Sequence, residues 1–177
     1  YYYDNDKEHF YQLLNKGFQI LCFTTFPMAI GMAVVAPQVV EVLYGEAFEP
    51  TAVTIQLMCP LILIKGFGDL FCYQLVYSTK NEKIVLPAAA AASTINVVAN
   101  AVLIPVFLQN GAVIASVLSE FVTNAIQYIY IKKKIKFTID HKILAEGTFS
   151  TILMLGSVLA LRRLNVPNVI GLFIEVI

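Results

Sequence analysis

The chain has 177 residues and no net formal charge, with 58% hydrophobic side chains and only 14% charged ones. Water-soluble domains carry about 45–50% apolar and about 25% charged residues, so this composition excludes an ordinary soluble core. The absence of any basic excess argues against a nucleic-acid partner. Cys22, Cys59 and Cys72 are scattered through apolar stretches, without metal-ligand or redox spacing. An odd count closes no disulfide framework, and they read as small buried hydrophobes.

In chain order, DNDKEHFYQLLNKG predicts an amphipathic cytoplasmic linker helix over 1–16, with Asp4 or Asn5 as its cap. Phe10, Leu13, Leu14 and Phe18 fall on one face of it. From residue 17 to 177 the chain reads as a transmembrane bundle, with apolar spans at about 18–43, 52–77, 84–107, 112–131, 148–164 and 168–177, the last cut short. The first three hold about 24 to 26 residues, or roughly 36 to 39 Å of helix, which is enough to cross a hydrocarbon core of about 30 Å with tilt. YGEAFEP (44–50) and LQNG (108–111) read as tight turns, and STKNEK (78–83) and KKKIKFTIDHK (132–142) as polar, basic loops. The fold class expected is therefore an all-α polytopic membrane helix bundle of about six spans, read as part of a longer chain.

With a cytoplasmic N-terminal end, Lys7, Lys16, Lys80, Lys83, Lys132, Lys133, Lys134, Lys136 and Lys142 all lie inside. Arg162 and Arg163 fall outside and are the exception. This bias predicts that orientation by the positive-inside rule.

Polar residues inside the spans carry the functional signal. Asn96 and Asn100 stand one turn apart in TINVVANAVLIP, and Ser93 extends their stripe. Lipid satisfies none of an amide's donors and acceptors, so this face must meet protein or water. Lys65 and Asp69 stand one turn apart near the centre of the second span, continued by Tyr73 and Tyr77. Ser116, Glu120, Thr123, Asn124 and Gln127 recur on one face of the fourth. A charge at mid-membrane costs about 2.5–3.5 kcal/mol even on the gentler scales. Two readings remain open: interhelical packing, including a self-neutralising Lys65–Asp69 pair, or the wall of a hydrated cavity, which three polar-faced helices at matching depth favour. Pro27, Pro37 and Pro60 inside the spans suit bent helices around such a cavity. His9 and His141 are the two histidines, and HExxH, GxSxG and P-loop patterns are all missing from the sequence. The chain is expected to be no enzyme, with no catalytic residue and no metal site.

FPMAIGMAVVAPQVVEVLYGEAFEPTA, TINVVANAVLIP and NGAVIASVLSEFVTNAIQYIYIKKK, in that order, resemble the C-terminal half of Wzx-type O-antigen and capsule flippases. These belong to the MOP superfamily, which also holds lipid II flippases and MATE drug exporters. Pro27, Gly31, Pro37, Tyr44-Gly45, Asn96, Asn100, Pro105, Gly111-Ala112 and Glu120 carry the likeness, over about residues 17–136. The resemblance implies one lobe of a two-bundle transporter in the bacterial inner membrane, partnered by an N-terminal bundle of the same chain and by membrane lipid. Its implied cargo is undecaprenyl-pyrophosphate-linked oligosaccharide for polysaccharide biosynthesis, flipped by alternating access with H+ or Na+ as the possible coupling ion. Lys65 then becomes a candidate for the pyrophosphate, and Asn96, Asn100, Glu120 and Asn124 for sugar hydroxyls or the ion; the family's cavities often carry several bases, whereas this half offers Lys65 paired with Asp69. The rival readings are a MATE-like cation or drug exporter using Asp69 or Glu120, a membrane-embedded glycosyltransferase, which the short loops disfavour, and a non-transporting scaffold.

Overall fold

The computed structural model describes residues 7–135, 145 and 147–156. Four long helices account for most of them: α1 (Lys7–Tyr44), α2 (Glu49–Leu70), α3 (Val85–Phe107) and α4 (Gln109–Lys134). A shorter apolar helix, α5, spans Gly147–Gly156. Each of the four long helices is long and apolar enough to cross a membrane. No strand occurs among the described residues, so the expected all-helical membrane bundle is what the chain forms. The span expected at 168–177, the end of the one at 148–164, and Lys136, Asp140, His141, Lys142, Arg162 and Arg163 lie outside the described residues.

α1 runs unbroken for 38 residues, so the stretch read as a separate linker and the first span form one helix. Its length is about 57 Å at 1.5 Å per residue, well beyond a hydrocarbon core of about 30 Å. Its first turns are held by packing: Phe10, Leu14, Phe18 and Cys22 join Leu70, Leu75, Val76, Ile131 and Ile135 in the principal core. Leu13 departs from its expected face and is exposed, because its position falls at the edge of the stripe set by residues 10, 14 and 18. Aromatic contacts tie three helices together here, with ring centroids 5.1 Å apart for Phe18–Phe71 and 5.6 Å for Phe71–Tyr128.

The connections are tighter than the sequence suggests. After Tyr44, Gly45 takes φ 80°, and a 3-10 turn over Glu46–Phe48 leads into α2 with proline in its first turn. α2 continues into a π-helical segment, Phe71–Tyr77. Of LQNG, Leu108 alone makes the reversal, with φ 51°, and α4 begins at Gln109. Gly111 is then inside α4, where a Cβ would collide with the Leu103 carbonyl of α3. That close approach seats α3 and α4 side by side, the most extensive helix contact among the described residues. α1 packs mainly on α2, and α2 on α4.

Candidate functional site

α2, α3 and α4 line an open cavity of about 460 Å³. At this site α2 and α4 run parallel, so their polar side chains meet in three tiers. Lys65 Nζ lies 3.6 Å from Glu120 Oε1 and 3.7 Å from Asp69 Oδ1. One tier along, Asn124 Nδ2 donates to the Ile64 carbonyl at 2.7 Å. Its amide lies where a Cβ on residue 68 would be, so any side chain at 68 would have to displace it. In the third tier Gln127 and Cys72 line the same cavity.

α3 lines the other side. Asn96 Nδ2 donates to Ser119 Oγ of α4 at 3.1 Å, and Asn100 Nδ2 donates to Asn96 Oδ1 at 2.9 Å. Ala89, Ala92 and Ser93 line the cavity beside them. Five of the six predicted residues, Lys65, Asp69, Asn96, Glu120 and Asn124, therefore meet at one cavity, while Asn100 stands behind Asn96 and orients it. Interhelical bonding and cavity lining, posed as alternatives, are both served by Asn96 and Asn124. Ser116 turns back to the Ala112 carbonyl at 3.0 Å and does not line the cavity.

Ser119 was missed by sequence reasoning. Its hydroxyl donates to the Ser116 carbonyl at 2.9 Å while accepting from Asn96. A serine beside a glutamate carries no signal until α3 is known to lie against it. Cys72, expected as a buried hydrophobe, is half-buried in the cavity wall, whereas Cys22 and Cys59 are buried as expected.

The charges here are not closed off by protein. Lys65 and Asp69 are 61% and 54% exposed, whereas Glu120 is 28% exposed and held against the wall. A single base serves two carboxylates, so this wall carries no surplus of positive charge. An apolar groove of about 380 Å³, lined by Phe67, Phe71, Phe121, Tyr128 and Ile129 among others, shares Gly68 and Asn124 with the polar cavity. The Gly68–Asn124 contact thus divides a polar surface from an apolar one. Among the described residues no cluster of His, Cys, Asp or Glu has the spacing to hold a metal ion.

Residues 1–175 match the family described as lipid II flippase MurJ. The chain belongs to that family. A family of flippases moves its cargo across the bilayer, which fits a membrane bundle with a polar cavity between helices. The expected flippase of the MOP superfamily is thereby shown at the level of lipid-linked cargo in a membrane. No curated protein and no solved structure matched the chain.

Proposed function

We propose that the chain supplies one lobe of an inner-membrane flippase that carries an undecaprenyl-pyrophosphate-linked saccharide across the bilayer by alternating access, with its N-terminal end cytoplasmic. The observation that supports it is the meeting of Lys65, Asp69 and Glu120 with amides and hydroxyls in one cavity of a chain matched to flippases over residues 1–175. Charges and amides at this depth cost free energy in lipid, and a hydrated passage for a polar headgroup is a setting in which they are satisfied.

In the proposed cycle the saccharide exchanges its water for the Asn96, Ser119, Glu120 and Gln127 side chains, while the lipid tail stays in the bilayer. Asn100 fixes the direction in which Asn96 presents its amide. Lys65, shared between Asp69 and Glu120, keeps the two carboxylates from repelling each other across the passage. Lipid II is the first cargo to test, since the family is described by it. O-antigen or capsule precursors, expected from the likeness to Wzx-type flippases, are the second cargo.

The test is complementation by the intact gene. It is expected to restore growth to cells depleted of their own lipid II flippase. Restoration of surface polysaccharide in cells lacking an O-antigen flippase, without rescue of growth, would assign the second cargo. Failure in both strains, with the protein present in the membrane, would refute the proposal.

A further inference from the structure

α2 changes register at the Tyr77 end of the bundle, and the proposed function makes no use of that change. Phe67, Leu70 and Phe71 face the principal core. Continued at α-helical spacing, that face would turn Gln74 and Ser78 inward, yet both are exposed. Leu75 and Val76 take their place, fully buried in one cluster with Phe10, Leu14, Phe18, Ile131 and Ile135. The π-helical turn over Phe71–Tyr77 brings them there, because i→i+5 bonding adds a residue to each turn. The Asn81 N–H closes the segment on the Val76 carbonyl at 2.9 Å, again five residues apart. The need for the extra residue shows only once the core face is known.

The wide turn stands between two differently held parts of the bundle. On its Glu49 side, α2 is fixed by close approaches: a Cβ at 66 would press on Leu21 and Thr25 of α1, and one at 68 on Asn124. On its other side, Leu75 and Val76 belong to the core formed with the start of α1 and the end of α4. Between the two, the i→i−4 ladder is interrupted, and helices bend where that ladder breaks. The interruption falls within the cavity wall itself. Lys65, Gly68 and Asp69 line the cavity from the α-helical part, and Cys72 lines it from the π-helical part.

We infer that Phe71–Tyr77 is a hinge in α2, about which the Tyr77 end of the bundle moves relative to the polar wall and so opens or closes that end of the cavity. Leu75 and Val76 travel with the start of α1 and the end of α4 as one packed unit, while the contacts at Gly66 and Gly68 hold. The inference rests on the proposed alternating access and adds the element that moves.

Deleting Gln74 tests it, because every later residue of the segment then steps back by one. Leu75 and Val76 reach the core from Phe71 at ordinary three- and four-residue spacing, so the packing survives without the wide turn. The intact protein is reconstituted in proteoliposomes with labelled lipid II as wild type, as Gln74→Ala, which keeps the register, and as the deletion. Wild type and Gln74→Ala are expected to transport alike. The deletion is expected to be slower by about tenfold or more, while unfolding no earlier than wild type in detergent–SDS micelles. A deletion variant that transports at the wild-type rate would overturn the hinge. So would a Gln74→Ala protein as slow as the deletion, since the side chain and not the register would then be responsible.

Amide hydrogen exchange of wild type in lipid nanodiscs decides the matter if the deletion unfolds early. Residues 71–77 are expected to exchange at least about tenfold faster than residues 127–131 of α4, whose Ile131 shares their core. Equal protection of the two segments would overturn the hinge. Absence of transport by wild type would strike the proposed function instead, and the hinge would stand or fall on exchange alone.

Discussion

Gly68→Ala is a small change with a large expected effect, because it places a methyl group where the Asn124 amide now lies. Helix propensity alone would favour alanine by about 1 kcal/mol, so a loss of stability would be diagnostic of the clash. Overpacking of this kind costs about 1–3 kcal/mol. Displacing Asn124 also gives up its 2.7 Å bond to the Ile64 carbonyl, worth about 0.6 kcal/mol between membrane helices. The net expectation is a loss of about 1–2 kcal/mol, the propensity gain having been subtracted. Asn124→Ala alone should cost about 0.6 kcal/mol by loss of that bond. The double variant should be more stable than Gly68→Ala, since the obstacle has gone, giving a coupling of about 1 kcal/mol or more. Unfolding of the intact protein in mixed detergent–SDS micelles, across all four members of the cycle, measures this. A Gly68→Ala protein as stable as wild type, or strictly additive effects, would refute the account of how α2 and α4 meet.

Gly111→Ala should be still less tolerated, because its Cβ meets backbone, the Leu103 carbonyl, which has no rotamer to escape into; we expect a loss of about 2–3 kcal/mol and weakened α3–α4 packing by the same unfolding assay. Leu108→Gly should act in the opposite direction. Leu108 holds φ 51° and is 65% exposed, so glycine relieves a strained backbone and forfeits little burial; a gain of about 1 kcal/mol is expected as a higher unfolding midpoint.

Much of this was legible in the sequence, and the reasons are specific. The four long apolar helices announce themselves by length and composition, and residues at four-residue spacing, such as 65 and 69 or 120 and 124, share a face by helix geometry alone. Whether such a face meets a neighbour or a cavity depends on which helices adjoin it, and no periodicity encodes that. Asn96 and Asn100 look equivalent in the sequence, yet one faces Ser119 and the other stands behind it. The unbroken α1 was hidden because a polar-to-apolar change in composition looks like a boundary, whereas backbone hydrogen bonds pass through it. The Leu108 reversal was hidden for another reason: turn signals favour glycine and amides, and here the close approach of α3 and α4 claimed Gly111 for packing. The π-helical segment left no residue-level mark at all.

The central claim is that a polar wall formed by Lys65, Asp69 and Glu120 carries a lipid-linked headgroup, and transport through the intact protein tests it most directly. Proteoliposomes holding labelled lipid II are prepared with wild type and with a Lys65→Ala, Asp69→Asn, Glu120→Gln triple variant, at matched insertion. We predict translocation by wild type and a loss of at least about tenfold in the variant, equivalent to about 1.4 kcal/mol on the transport barrier. Equal rates in the two preparations would contradict the account, and would reduce these charges to packing between helices.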